Sequence, residues 1–458
     1  MVRIFDTLVK RDVELTTRIE GQVSMYVCGP TVYDVPHIGH GRTALVYDVI
    51  RRYLEWAGNT VTFVGNVTNV EDKIIARAAA EGTSERELAD RYEAAYWAEL
   101  DRLGVRRPDE VPRATEFVEP MIGLIQELID RGRAYVIEGE GVYFSVESYS
   151  DYGDLSGRRM ADLLEGAGAR VEVDERKRSP VDFALWKAAK QGEPDWESPW
   201  GRGRPGWHIE CSAMSLQILG DGFDLHGGGD DLVFPHHENE RAQAEGAGHR
   251  FARHWIHSGM VMVGAEKMSK SLGNFATLGG AIDGFGARAF RLAVLQVHYR
   301  SQMELTANEL GAAQRAMQRV DDLLRRAGRA DLADAAPDAG TVSEFRRVMD
   351  QDFGTPAAVA TLFDAVRRAN LAFDGGDDLL AGALVSAVVL ILDVLGFANV
   401  GEEATGDADD ADEIDVMVQA RNHARAAKDF AAADRIRDEL ASRGVVIEDT
   451  ESGTVWHR

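Results

Sequence analysis

The stretch that decides the fold runs Val23-Ser24-Met25-Tyr26-Val27-Cys28-Gly29-Pro30-Thr31, continues into His37-Ile38-Gly39-His40, and ends in the segment from Arg42 to Trp56. Val23 to Cys28 is apolar and β-prone, Gly29-Pro30-Thr31 is turn chemistry, and Arg42 to Trp56 has the periodicity of a helix. A second strand is expected over Asn59 to Asn66. A short strand, a phosphate-sized turn, a helix and another strand open a parallel α/β sheet.

Downstream, Asp72 to Asp101 reads as helix, and Pro112 to Gly222 mixes a helix (Thr115 to Arg131), a hairpin-like segment (Ala134 to Phe144) and loops. The sheet pattern returns at Phe223-Asp224-Leu225-His226, meets Gly227-Gly228-Gly229 as a turn, and passes into a helix carrying His236 and Glu240. Helices then dominate from Ala287, through Leu305 to Arg329 and Val342 to Asn370, and on to Leu395. Gly401 to Glu413 lacks periodicity and reads as a solvated linker. Ile414 to Arg443 reads as a charged helical pair and Val445 to Trp456 as a hairpin. The expected fold is α/β: a Rossmann-like parallel-sheet catalytic domain in two halves (1–111 and 223–286) split by a connective insertion (112–222). A helical bundle (287–400), an acidic linker (401–413) and a small mixed α/β module (414–458) complete it.

Composition narrows the function. A chain of 458 residues exceeds what one core usually serves. Its net charge of -25 excludes a protein that coats nucleic acid through a general positive field, so any RNA contact must be local. The opening Met1 to Thr7 carries Arg3 and Asp6 instead of an apolar signal run, and Ala383 to Leu395 is too short for a bilayer and is broken by Asp393. A cytoplasmic protein without a membrane partner is expected. Cys28 and Cys211 are the only two cysteines, which is no disulfide framework.

Two segments suit phosphate chemistry. In His37-Ile38-Gly39-His40, imidazoles flank a glycine just before a helix, where unpaired N–H groups favour an anion. Gly39 permits close approach, and the imidazoles can donate to charge building on an α-phosphate. Lys267-Met268-Ser269-Lys270-Ser271 is a cationic loop able to close over a triphosphate and stabilise departing pyrophosphate. Separately, Cys28, Cys211, His236 and Glu240 make a plausible four-ligand zinc set. His237 is an alternative ligand, although on a helix only His236 is in register with Glu240.

The two phosphate segments, in this order and separated by an α/β core with a long insertion, resemble the signature sequences of class I aminoacyl-tRNA synthetases. Cys28 to Asp34, Asn66-Val67-Thr68, Gly206 to Met214, Phe234 to Glu240, His257 to Met260, Asp352 to Pro356 and Gly453 to Trp456 resemble the cysteinyl-tRNA synthetases within that class, over nearly the whole chain. The resemblance implies a ligase that activates L-cysteine with ATP, with Mg²⁺ accompanying the nucleotide, and transfers it to tRNA(Cys). It implies one zinc per subunit on Cys28, Cys211, His236 and Glu240, taking the substrate thiolate as a further ligand. It implies catalysis by His37, His40, Lys267 and Lys270, and ATP contacts from His37, Gly39, His40, Met268 and Lys270. The amino acid is expected among Gly29, Thr68, Trp207 and Asp231, with Asp231 facing its ammonium group.

For the tRNA, Arg425, Phe430, Asp434 and Asp449 of the C-terminal module are the expected contacts, an aromatic stacking on a splayed base while Arg and Asp read its edges. The competing reading makes Phe430 and Trp456 the core of that module. The module also weighs against a related ligase of the mycothiol pathway, which hands cysteine to a sugar amine and lacks it. A monomer is expected.

Overall fold

The computed structural model describes residues 1–168, 176–262, 277–330, 335–398, 400, 408–427, 429–442, 445–450 and 453–457. An antiparallel pair, β1 (Arg3–Asp6) and β2 (Arg11–Glu14), precedes β3 (Gln22–Val27), α1 (Ile38–Trp56), β4 (Thr60–Gly65), α2 (Asp72–Glu81) and α3 (Glu85–Arg102). Next come α4 (Val118–Asp130), β5 (Ala134–Ile137), β6 (Gly141–Phe144), α5 (Met160–Gly168), β7 (Phe183–Ala188), β8 (Gly203–Pro205) and α6 (Trp207–Leu219). The chain then gives β9 (Leu225–Gly229), α7 (Glu238–Gly246), β10 (His254–Ser258), β11 (Val261–Met262), α8 (Leu278–Phe285), α9 (Ala287–Leu295) and β12 (Met303–Glu304). Helices α10 (Ala307–Arg329), α11 (Ala339–Met349), α12 (Thr355–Gly375) and α13 (Asp378–Val394) follow.

The central sheet has the order β10-β9-β3-β4, and every pairing in it is parallel. All four strands therefore end at one edge, where Val27 lies beside both Gly65 and Gly227. The segment between its halves folds as a separate antiparallel sheet, β5-β6-β7-β8, over its own core of Met121, Leu124, Leu128, Phe144 and Trp186.

Local chemistry moved several boundaries. Helix α1 starts at Ile38 instead of Arg42, because the His37 ring accepts from the His40 N–H while the His40 ring accepts from the His37 N–H. This reciprocal cap satisfies two of the first-turn donors. The expected single helix from Asp72 divides at Gly82, which takes φ +68°, and restarts where Ser84 and Glu87 cap each other. The expected helix from Val342 divides at Asp352 and Phe353, both at positive φ. That unfavourable backbone is held because the Asp352 carboxylate accepts from the Phe5 N–H at 2.9 Å and the Tyr299 hydroxyl at 2.6 Å, and pairs with Arg300. The Gly227-Gly228-Gly229 segment is not a turn: it is the end of strand β9. Gly227 is required there because a Cβ would fall 2.4 Å from the Tyr47 ring.

The sheet and the helices behind it share one core, including Leu45, Ile50, Phe290 and Leu362. Inside it the fully buried Arg291 and Asp48 pair at 3.1 Å, and Arg291 also donates to the carbonyls of Leu103, Gly104 and Leu395. This joins α1 to α9 and to the end of α13.

A second compact unit begins after Val400. It contains α14 (Ala408–Ala426), α15 (Phe430–Ser442) and an antiparallel hairpin of β13 (Val446–Thr450) and β14 (Gly453–His457). Its apolar centre is Ile414, Val418, Leu440 and Val445. Helix α14 already runs through 408–413, which the sequence assigns to a linker. The acidic composition that suggests a solvated tether is equally compatible with a helix N-terminus.

Candidate active site

A cleft of about 590 Å³ opens at the C-terminal edge of the parallel sheet, lined by Cys28, Gly29, His37, Gly39, His40, Trp207 and Asp231 among others. It lies where a parallel sheet places its ligands. Cys28 follows β3 directly, and its N–H donates to the Gly227 carbonyl at 3.1 Å. Helix α6 brings Cys211 to the same place, and the turn into α7 brings His236 and Glu240.

One ligand atom from each of Cys28, Cys211, His236 and Glu240 lies within 4.8 Å of all the others, and all four residues are buried. Glu240 Oε1 is 3.4 Å from the Cys28 sulfur and 3.1 Å from His236 Nε2. Donors on a tetrahedral zinc stand about 3.3 to 3.8 Å apart, so both Glu240 separations are close to the ion's, and two thiolates, an imidazole and a carboxylate suit its softness. Burial pushes the Cys28 and Cys211 thiols and the Glu240 carboxyl up, and pushes the His236 imidazole far down. A divalent cation reverses the first of these, because a coordinating thiol is deprotonated outright.

The structure differs from expectation on how His236 arrives. It is not on the α-helix with Glu240 but in a π-helical turn, Val233–His237, whose Phe234 is extended. This turn also brings His237 close, and Cys28, His226, His237 and Glu240 satisfy the same 4.8 Å condition. Among the described residues His237 thus joins a donor group with His226 in place of Cys211, so it is not a simple replacement for His236 beside the two sulfurs, and its group offers one sulfur instead of two.

Around the four donors stands a shell that the sequence did not reveal. His226 Nε2 is 2.9 Å from Glu240 Oε2, His208 Nδ1 is 2.9 Å from His236 Nδ1, and His257 Nε2 is 2.7 Å from His237 Nδ1. Tyr26 is fully buried with its ring 5.4 Å from that of His226. Such partners fix ring orientation and ligand basicity. Single histidines on a strand or helix carry no spacing signal that could have found them.

Three of the expected amino-acid contacts face the same cleft: Gly29, Trp207 and Asp231. The Gly29 N–H donates to Asn66 Oδ1 at 2.9 Å, and a Cβ on Gly29 would lie 1.7 Å from the Asn66 carbonyl oxygen. Trp207 stacks on His236 with ring centroids 4.3 Å apart. Asp231 belongs to a short 3₁₀ turn, Asp230–Leu232, and its charge opposes the burial that lowers His37. Thr68 is buried at the end of the neighbouring connection and donates to Glu210 Oε2 at 3.0 Å.

The His37 and His40 rings stack at 3.7 Å. Each Nδ1 is an acceptor in the helix cap, so in a neutral ring the proton resides on Nε2. Burial and the neighbouring His37 lower His40 to about 3, so it is neutral at physiological pH. A Cβ on Gly39 would press within 2.9 Å of the His37 ring. Lys267, Met268 and Lys270 fall outside the described residues.

In the C-terminal unit, Arg425 is on α14, Phe430 opens α15 and is 63% exposed, and Asp434 pairs with Arg437 at 3.1 Å. Phe430 is thus not part of the unit's core. Asp449 is in β13, opposite Thr454.

Residues 14–315 match the tRNA synthetases class I (C) catalytic domain, 344–399 a DALR domain, and 407–456 the cysteinyl-tRNA ligase anticodon binding domain. The chain is 49% identical to the cysteine–tRNA ligase of Alkalilimnicola ehrlichii over 466 aligned positions, covering 100% of both chains. It is 50% identical to that of Halorhodospira halophila, covering 96% of this chain and 95% of that one. Among solved structures, a methionyl-tRNA synthetase of Mycobacterium tuberculosis in complex with methionyl-adenylate superposes with a TM-score of 0.64 at 17% identity, covering 83% of this chain and 92% of that one. That likeness carries the fold alone. No described helix is long and apolar enough to cross a membrane. From the catalytic-domain match and the full-length identities, the chain belongs to the cysteinyl-tRNA synthetase family of class I aminoacyl-tRNA ligases.

Proposed function

We propose that this chain activates L-cysteine with ATP and transfers it to tRNA(Cys), choosing cysteine by its sulfur at a zinc held by Cys28, Cys211, His236 and Glu240. The convergence of these four buried donors on the edge of the cleft that also holds His37 and His40 is the observation that carries the reading. Zinc bound there supplies a soft acceptor that distinguishes a thiolate from the alcohol of serine. The two-sulfur set is preferred over the one containing His226 and His237 because it serves that selectivity better and leaves those imidazoles to orient the ligands.

Asp231 is the partner for the substrate ammonium group, while Gly29, Thr68 and Trp207 shape the floor and wall around the amino acid. The substrate carboxylate oxygen attacks the α-phosphorus, and the bond to pyrophosphate breaks. Neutral His37 and His40 offer Nε2–H donors to the oxygens on which charge builds, with Gly39 allowing the nucleotide to lie close. Lys267, Met268 and Lys270 are assigned to ATP and its departing pyrophosphate, with Mg²⁺ on the nucleotide. The terminal ribose hydroxyl of the tRNA then attacks the carbonyl carbon, and AMP leaves.

In this reading 1–111 and 223–286 form the catalytic core, 112–222 the connective insertion and 287–400 the bundle. Residues 414–458 meet the anticodon through Arg425, Phe430, Asp434 and Asp449. The protein acts as a cytoplasmic monomer. Transfer of labelled cysteine to total tRNA tests the reading: pyrophosphate exchange dependent on cysteine without any charged tRNA would sink the tRNA assignment.

A further inference from the structure

The cleft has two cationic side chains among its described lining residues, Lys73 and Arg106. Arg106 is committed: it pairs with Glu55 at 2.6 Å and reaches Asp48 at 3.9 Å. Lys73 has no ion pair among the described residues. Of the two acids beside it at the helix start, Glu71 accepts the backbone N–H of Lys73 at 2.6 Å and Asp72 is paired with Lys187 and Arg204. The Lys73 ammonium instead stands 5.3 Å from the centroid of the Tyr33 ring, and Tyr33 also lines the cleft and is only partly buried.

A cation over an aromatic face at a cleft mouth is a contact that a desolvated nucleotide can take over, the ring stacking on a base and the ammonium meeting a phosphate. The surroundings sharpen this. A net charge of -25 makes the protein as a whole repel a polyanion, so a lysine without an ion pair in the cleft is a local exception to that field. Tyr33 and Lys73 also flank the Gly29 to Thr31 and Asn66 segments that floor the amino-acid site. They therefore share the cleft in which, on the function proposed above, an activated carboxyl group meets its acceptor.

We propose that Tyr33 and Lys73 form the subsite for the 3′-terminal nucleotide of the acceptor RNA, Tyr33 as a stacking surface and Lys73 as the partner of the terminal phosphodiester. The proposal rests on the tRNA-charging function above. It makes both residues positioning groups for the transfer step, with no part in adenylate formation.

The test compares cysteine-dependent pyrophosphate exchange with tRNA charging in Lys73→Gln, Tyr33→Leu and Tyr33→Phe, each checked for an unchanged unfolding profile. Exchange is expected within twofold of the parent for all three. Charging by Lys73→Gln and Tyr33→Leu should show KM for tRNA raised about tenfold, the effect of losing one base-stacking or phosphate contact. Tyr33→Phe keeps the ring and should charge normally. The slope of log affinity for tRNA against log salt should fall by about 0.7 to 0.9 in Lys73→Gln, one phosphate's worth, and should not change in Tyr33→Leu. Equal losses of exchange and charging would assign Lys73 to the ATP step and overturn the proposal. Unaltered charging in Lys73→Gln and Tyr33→Leu would overturn it as well. A parent protein that exchanges pyrophosphate but charges no tRNA would instead defeat the function on which it rests.

Discussion

Replacing Gly29 with alanine should disable cysteine activation while leaving the chain folded. The added Cβ would lie 1.7 Å from the Asn66 carbonyl oxygen and 2.9 Å from its carbon, both backbone atoms that cannot rotate away. Ordinary contact begins at 3.4 Å, so the ends of β3 and β4 must part by up to about 1.7 Å. The parting displaces Cys28 on one side and Asn66 and Thr68 on the other, and it breaks the 2.9 Å bond from the Gly29 N–H to Asn66. Misplacement of positioning groups by about 1 Å costs on the order of 100-fold in rate, and overpacking costs about 1 to 3 kcal/mol of stability. Cysteine-dependent pyrophosphate exchange should therefore fall about 100-fold in kcat/KM, with circular dichroism and a cooperative urea transition retained. Exchange within threefold of the parent would refute the argument that Gly29 is there for close approach.

Further expectations follow from other parts of the molecule. Arg291→Met should lower the unfolding free energy of the first unit by about 3 kcal/mol, the low end for breaking a buried pair. The low end applies because Asp48 keeps Arg52 at 2.9 Å, and a loss under 1 kcal/mol in urea titration would show the pair to be dispensable. Cys28→Ser should lose zinc and cysteine activation together, and full zinc by metal analysis with normal exchange would remove Cys28 from the ligand set. His40 has its pKa lowered to about 3 from 6.5, so between those values the unfolded chain holds a proton there that the folded chain does not. Stability is then complete above about pH 6.5 and declines as pH falls, by up to about 1.4 kcal/mol per pH unit from this residue. His40→Gln should flatten that dependence in urea titrations at pH 7.5 and 5.0, and an identical slope in parent and variant would show His40 to titrate normally.

Much of the site was readable because it rests on topology. Once Val23 to Cys28 is a strand in a parallel sheet, its end and the end of the strand at Leu225 must meet. Residues as distant as Cys28 and Glu240 then come within bonding range. What hid was chemistry without a period. The strand residue His226, the helix residue His208 and His257 on β10 each look like isolated imidazoles until the fold stacks them. The π-helical turn at Val233–His237 could not be read from an i, i+4 spacing that gives nearly the same contact on an ordinary helix. The break at Asp352 depends on Phe5, Tyr299 and Arg300, none of them local, and the helical start at Ala408 was masked by acidic composition that suits a tether and a helix N-terminus equally.

The most direct test is tRNA charging with cysteine and with serine by protein whose zinc content is measured, before and after removal of the metal by a chelator. The account predicts about one zinc per chain, cysteine preferred over serine by about 10⁴-fold or more, as for sites that recognise a single polar group, and loss of cysteine charging with the metal. Undiminished charging by metal-free protein, or serine charged as readily as cysteine, would contradict it.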